Sequence, residues 1–169
     1  MNRLLKIALA AAAVSALAAP AAFAQASDLV STTGSTTILD PISIAKNSDL
    51  QFGSVVKPSS GTNSVVINAS TGARTLTGAG DTALATSTTG RATYTVTGEE
   101  DATFSISTPA TFDMANGGDS LTVTLTKTAA TGTLTSGTAT FGVGGSFPIA
   151  TSTVTGAYSG TFDVTVAYN

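Results

Sequence analysis

The side chains that carry most enzyme chemistry are missing from this sequence, which contains no histidine and no cysteine. Histidine is the usual general base beside a nucleophile, and cysteine and histidine are the usual zinc ligands. Carboxylates remain, and their densest group is Glu99-Glu100-Asp101. Neighbouring residues in an extended or turn segment point in different directions, whereas a carboxylate hydrolase needs two acidic groups that face each other. We therefore predict that the protein is not an enzyme.

Two glycine-containing segments resemble ligand-binding loops. Asp113–Asp119 offers oxygen ligands for Ca²⁺, but it lacks the alternating acidic order and the closing glutamate of the calcium-binding loop, and a plain Asn-Gly turn is the other interpretation. Phe141–Phe147 resembles a phosphate-binding glycine loop, but no helix follows it, so we expect a tight turn or bulge at Gly144-Gly145. We predict no cofactor and no metal site, with calcium at Asp113–Asp119 as the open alternative.

A positively charged start and an apolar run predict a signal peptide over residues 1–24. Arg3 and Lys6 lie at the start, the uncharged run Ile7–Ala19 follows, and Ala22-Phe23-Ala24 provides the small residues of a cleavage point. The run is shorter than the roughly 20 residues that a spanning helix needs. We expect an exported mature chain without a transmembrane segment. Its basic residues are scattered singly, which argues against nucleic-acid binding.

Alternation of apolar and polar residues predicts β-strands throughout the remaining chain. The pattern is clearest in Arg91–Thr97 and Thr161–Tyr168, and Gly98–Asp101 has the composition of a hairpin turn. The other candidate strands are Ile42–Ile44, Leu50–Val56, Ser64–Ile67, Ala73–Leu76, Ala102–Ser107, Leu121–Thr126, Thr138–Val143 and Phe147–Ile149. Many short strands separated by turns predict an all-β fold, an antiparallel β-sandwich of Ig-like or pilin-like type.

We predict one domain over residues 42–169, preceded by an N-terminal extension over residues 25–41. The extension is polar and weakly patterned, so it has little to bury within its own domain. Val30, Gly34 and Ile38 fall on one face of this segment when it is extended. The last predicted strand reaches the penultimate residue, and its inward face carries Phe162, Val164, Val166 and Tyr168.

Four segments together resemble a family of secreted bacterial proteins known only as a domain of unknown function, number 4402. They are Leu50–Val56, Thr71–Arg74, Arg91–Gly98 and Gly156–Tyr168. The likeness covers most of residues 42–169. No activity is attached to that family, so the resemblance implies a secreted β-domain and no particular chemistry.

The last segment also resembles the C-terminal strand of chaperone–usher pilus subunits and of spore-coat-U-like fibre subunits. Those strands commonly have a penultimate tyrosine and an upstream glycine, which Tyr168 and Gly156 match. The resemblance implies an incomplete sandwich, whose groove accepts the N-terminal extension of a neighbouring subunit. It assigns Val30, Gly34 and Ile38 to the donor strand, and Gly156, Phe162, Val164, Val166 and Tyr168 to the acceptor groove.

The implied function is a non-enzymatic structural subunit of an extracellular fibre, pilus or surface coat, assembled by donor-strand exchange and connected with cell adhesion. Its implied partners are copies of itself or related subunits, a periplasmic chaperone and an outer-membrane usher. We expect it in the periplasm in transit and then at the cell surface. The alternative is a monomeric secreted or surface-attached binding module that recognises carbohydrate or a matrix or host partner through loops such as Asp113–Ser120.

Overall fold

The computed structural model describes residues 27–80 and 82–169. Every regular element in these ranges is a β-strand, which confirms the all-β prediction. The chain divides into a unit that ends at Thr36 and a second unit, Thr37–Asn169. In the first unit, residues 27–36 have no regular secondary structure. The predicted signal peptide, residues 1–24, lies outside the described residues, and within the described ranges no helix has the length and hydropathy to cross a membrane.

The strands belong to the second unit and are mostly short, as the closely spaced turn residues predict. They are β1 (Ser43–Ser48), β2 (Val55–Val56), β3 (Thr62–Ile67), β4 (Arg74–Gly78), β5 (Ala83–Leu84), β6 (Ala92–Thr97), β7 (Thr103–Ser107), β8 (Thr111–Asn116), β9 (Asp119–Lys127), β10 (Thr131–Thr133), β11 (Thr138–Ala150) and β12 (Thr165–Tyr168).

One antiparallel sheet contains seven of the strands in the described part of the chain, in the order β1-β6-β11-β3-β4, with β9 and β8 joined through β11. The central strand, β11, pairs with β6 through residues 138–143 and with β3 through residues 145–150. On its opposite side, residues 143–146 pair with β9. Because two strands share one side of β11 in succession, the sheet curls into a half-barrel.

The glycines in the middle of β11 form neither the turn nor the bulge that we predicted at Gly144-Gly145. They lie inside one continuous 13-residue strand, which joins the two short strands expected from the sequence. A Cβ atom at Gly144 would lie 2.2 Å from the Ile67 carbonyl oxygen and 2.7 Å from the Ala69 nitrogen. Glycine is therefore required here because the neighbouring backbone approaches too closely for a side chain.

The second sheet has the order β10-β7-β12. The segment Gly98–Asp101 connects β6 of the large sheet to β7 of this sheet, so the predicted hairpin is wrong. The reason is that β6 already has β1 and β11 on its two edges, and β7 has β10 and β12. Alternating burial in two consecutive strands fits two facing sheets as well as it fits one hairpin.

Two clusters of buried apolar side chains occur among the described residues. Cluster 1 lies between the sheets and consists of Ala92, Tyr94, Val96, Phe104, Ile106, Leu134, Phe141 and Val143. Cluster 2 lies on the inner face of the curled sheet and consists of Phe52, Val65, Ile67, Val123, Phe147 and Ile149. Full burial of such side chains contributes about 1.5–3 kcal/mol each, which matters in a chain without disulfides. These facing layers confirm the predicted antiparallel sandwich.

Candidate functional site

Two segments of the second unit lie side by side and run in opposite directions, residues 42–57 and residues 153–168. At one end, the Tyr168 hydroxyl donates a hydrogen bond to the Asp40 carbonyl at 2.7 Å, beside the start of the first segment. In the middle, apolar side chains of both segments pack against cluster 1. At the other end, both segments line the same groove. We call this arrangement the slot, with residues 42–57 as its first wall and residues 153–168 as its second wall.

The narrow part of the slot lies between β1 and β12, which are both edge strands. β1 pairs with β6 on one edge and β12 pairs with β7 on one edge; across residues 27–80 and 82–169, no strand covers the other edge of either. Half-buried apolar side chains face this part from both walls: Ile42 and Ile44 from the first, and Phe162, Val164, Val166 and Tyr168 from the second. Edges of this kind leave backbone groups available to an added strand.

The narrow end is tied by a ring of hydrogen bonds that we call the Tyr168 bridge. The Glu99 backbone N–H donates to the Tyr168 hydroxyl at 2.7 Å, and that hydroxyl donates to the Asp40 carbonyl. The Asp40 backbone N–H in turn donates to the Glu99 carboxylate at 3.0 Å. A Cβ at Gly98 would lie 2.2 Å from the Tyr168 hydroxyl oxygen, so a glycine leaves room for it. The bridge fixes the point at which the chain enters β1.

The open part of the slot is a groove of about 780 Å³. Cluster 2 forms its floor through Phe52, Phe147 and Ile149, and Met114 and Leu121 of the β8–β9 hairpin add to the apolar lining. The backbone of both walls is largely irregular here, since the first wall has only the short strand β2 and the second has no strand before β12. This part of the slot therefore combines apolar surface with backbone that pairs only through the two-residue strand β2 and through single β-bridges at Gln51 and Ser159.

The first wall of the groove is held by one guanidinium group. Arg74 donates to the carbonyls of Phe52 at 2.8 Å, Ser54 at 2.9 Å and Ala85 at 2.6 Å. Its rigid fork of five donors satisfies several carbonyls of an irregular loop at once, which a lysine cannot do. The sequence offered no signal for this role, because Arg74 is isolated and its partners are main-chain atoms.

The second wall contains all five residues assigned to the acceptor groove, in two places. Phe162, Val164, Val166 and Tyr168 alternate inward along the narrow part and pack against cluster 1. Gly156 lies apart from them and lines the open part, beside the Asn116 side chain of β8. The first wall was missed as a functional element, although the alternation in Ile42-Ser43-Ile44 indicates a strand.

The predicted donor residues are exposed. Val30 is 79% exposed and Ile38 is 88% exposed, and no atom outside the local chain lies within 4 Å of a Cβ built at Gly34. Leu29 is exposed to 90%. None of residues 27–42 belongs to a strand. Large apolar side chains at such exposure are the surface that association buries.

The acidic candidates do not converge. Asp113 pairs across the β8–β9 hairpin with Thr122 and accepts its hydroxyl hydrogen bond at 2.6 Å, whereas Asp119 pairs with Asn116 beside the two-residue turn. These two pairs lie on opposite faces of the hairpin because side chains alternate along a strand. Glu99 belongs to the Tyr168 bridge. No group of three potential metal-ligating side chains occurs within the described ranges.

Two pKa shifts have identifiable structural causes, one on the first wall of the slot and one in cluster 1. The hydrogen bond from Lys46 to Asp49, at 2.6 Å, raises the pKa of this exposed lysine. Burial in cluster 1 raises the pKa of Tyr94, whose ring stacks on Phe141 with centroids 5.1 Å apart.

Comparison with known proteins supports the family resemblance. The model of the family described as domain of unknown function DUF4402 matches residues 42–168, which include both walls of the slot completely. No curated protein and no solved structure matches the chain.

Proposed function

This chain belongs to the DUF4402 family, whose description assigns no activity, and we propose that it is a non-enzymatic structural subunit of an extracellular fibre, pilus or surface coat, assembled by strand addition into the slot. The observation that carries the proposal is the slot itself, with two unpaired strand edges that continue into an apolar groove. The donor is the N-terminal extension of another copy or of a related subunit.

Strand addition explains why one edge of β1 and one edge of β12 carry no partner strand among the described residues. An extended segment placed along β12 forms backbone hydrogen bonds with its free edge, while alternate side chains enter the apolar face between Ile44 and Val166. β1 and β12 approach to within 8 Å between Cα atoms, whereas strands on either side of an inserted strand stand about 10 Å apart. Insertion along the narrow part therefore requires the walls to separate slightly.

The extension has the composition of a donor. Burial of Val30 and Ile38 on one face contributes about 1.5–3 kcal/mol for each side chain. Export through the periplasm, delivery by a chaperone and passage through an outer-membrane usher complete the proposal, because an apolar slot needs protection until a donor arrives.

The test is electrophoresis of surface material with and without heating. Strand-linked subunits give a ladder that collapses only on heating, and a single monomer band in both lanes contradicts the proposal. Ile38→Asp is expected to remove the ladder because it places a charge in an apolar site, and this exposed position is not needed for folding. Thr37→Asp, on the opposite face of the same segment, is the matched control and is expected to retain the ladder.

The acceptor is tested in the same way. Val164→Asp is expected to remove the ladder, and Thr165→Asp, which adds the same charge at an outward position, is expected to keep it. Urea unfolding of both variants distinguishes loss of assembly from loss of the fold. A Val164→Asp chain that polymerises like the original chain contradicts a role for this wall.

The groove also favours a second candidate function, a monomeric secreted or surface-attached binding module for carbohydrate or a matrix or host partner. Its volume of about 780 Å³ lies in the range of small-ligand sites. The two candidates differ in their dependence on the extension: deletion of Gln25–Thr37 leaves a binding module unchanged and abolishes a strand-linked polymer.

A further inference from the structure

The groove carries one charge among its described lining residues, the ammonium group of Lys57. The other basic side chains of the described ranges are engaged. Lys46 pairs with Asp49, and Arg74, Arg91 and Lys127 donate to backbone carbonyls. Lys57 is exposed and makes no hydrogen bond or ion pair with any residue in the described ranges. An unpaired cation beside an apolar floor suits a ligand that is apolar with one negative charge.

The exposed large apolar side chains of the described chain fall into two groups. One group lies in the extension, with Leu29 at 90% and Val30 at 79% exposure, and includes Ile38 and Leu39. The other lies at or near the groove and consists of Val154, Val56 and Leu84, the last on the strand that pairs with β2. Asp28 directly precedes Leu29, so the first group presents an acid followed by two apolar side chains.

We propose that the groove binds the Asp28-Leu29-Val30 segment of a second copy, with the Asp28 carboxylate paired to Lys57 and with the Leu29 and Val30 side chains, which point to opposite sides of an extended segment, packed against different parts of the apolar groove lining. This inference rests on the proposed function and adds the register of the donor to it. The charges are complementary, and the Asp28–Lys57 pair sets the position of the two apolar side chains along the groove.

A second copy is favoured over the chain's own extension. The Tyr168 bridge holds Asp40 at the narrow end of the slot of its own copy, and the groove is the opposite end. Ile38, two residues before Asp40, is 88% exposed, so the chain does not turn back into its own slot there. Residues 28–40 reach up to about 40 Å when extended, which is enough to meet a neighbouring subunit.

Charge reversal in the exported full chain tests this register. Lys57→Glu and Asp28→Lys each place like charges together in homotypic contacts, so each is expected to lower self-association by roughly three- to tenfold. An equimolar mixture of the two variants restores opposite charges at every contact, and self-association returns to the original level. Asp119→Lys makes the same change of charge as Asp28→Lys at an exposed position outside the slot; it is the matched control and leaves association unchanged.

The apolar contact has its own variant. Leu29→Ser is expected to weaken association by at least about tenfold, because it removes a large apolar side chain from the contact with the groove lining. Thr33→Ser in the same segment is expected to have no effect.

The outcomes separate this inference from the proposed function. If the original chain forms no heat-sensitive ladder, the proposed function fails. If it forms the ladder and Lys57→Glu self-associates as strongly as the original chain, the proposed function stands and the Asp28–Lys57 register is wrong. The register is also wrong if the mixture of the two charge variants does not recover the self-association of the original chain. It is wrong as well if the chain stays monomeric at every concentration while Asp28-Leu29-Val30 is protected from proteolysis, because this protection indicates insertion into its own groove.

Discussion

Removal of a single hydroxyl group tests whether the Tyr168 bridge holds the two ends of the domain together. Tyr168→Phe keeps the ring in place and removes the oxygen that accepts from the Glu99 N–H and donates to the Asp40 carbonyl, both at 2.7 Å. The remaining bond from the Asp40 N–H to the Glu99 carboxylate is not touched by the change. The substitution therefore isolates the contribution of the link between the C-terminal strand and the entry to β1.

The expected loss of folding stability follows from the number of hydrogen bonds removed and from their exposure to solvent. An intramolecular hydrogen bond contributes about 0.5–1.5 kcal/mol net, and the bridge loses two of them, one of which is partly buried. We expect the free energy of unfolding to fall by about 1–2 kcal/mol. With a urea dependence of about 2 kcal/mol/M, the middle of the usual range, the midpoint of urea unfolding falls by roughly 0.5–1 M.

The chain provides a matched control for this experiment. The Tyr158 hydroxyl makes one exposed hydrogen bond, to the Val154 carbonyl at 2.8 Å. Tyr158→Phe is expected to cost about 0.5 kcal/mol or less, because water replaces an exposed partner readily. Equal urea midpoints for the two variants would refute the reasoning, since the bridge would then add nothing beyond an ordinary surface bond.

Three further substitutions test the stability of the fold and its dependence on pH. Gly144→Ala is expected to lower stability by more than about 2 kcal/mol in urea unfolding because its Cβ would overlap backbone, whereas Gly118→Ala, with open space around it, is expected to be tolerated. Asn63→Ala is expected to cost about 2–3 kcal/mol by calorimetry, because this buried amide makes 2.9 Å hydrogen bonds to both the N–H and the C=O of Gly80. Burial raises the pKa of Tyr94 in the folded protein. The protonated hydroxyl therefore contributes fully to folding stability below the pKa of the unfolded chain, near 10, and this contribution is lost as the pH rises from there towards the folded pKa. Tyr94→Phe is expected to reduce this loss of stability at alkaline pH, measured by unfolding at several pH values.

The sequence predicts those strands in which the alternation of apolar and polar residues is the main determinant of the structure. In β6, apolar and polar residues alternate without interruption, and in β12 only Ala167 departs from the alternation; the inward faces predicted for both strands are buried or half-buried. In β11 two rules conflict. Glycine pairs usually punctuate strands, yet Gly144 and Gly145 lie where other backbone segments approach closely, and only the tertiary structure reveals that requirement.

The candidate site also has one part that the sequence predicts, the second wall, and one part that it does not, the groove. The second wall could be found because its four inward residues form one periodic run close to the C-terminus. The groove could not, because its apolar lining is assembled from residues far apart in the chain, such as Phe52, Met114 and Ile149, and its first wall is held by Arg74 through main-chain oxygens. Alternation within a segment has no bearing on which segments the fold brings together.

The two parts of the slot contribute differently to a lasting assembly. Burial of Leu29 and Val30 in the groove offers about 3–6 kcal/mol together, whereas association costs an estimated 4–15 kcal/mol or more in lost freedom and ordering. Contacts in the groove alone therefore give at most a weak, reversible complex. A polymer that survives detergent without heating needs the backbone hydrogen bonds of the free β12 edge as well, and these form only when β1 and β12 separate. It follows that a heat-sensitive ladder reports on the narrow part of the slot, while the charge-reversal pair reports on the groove.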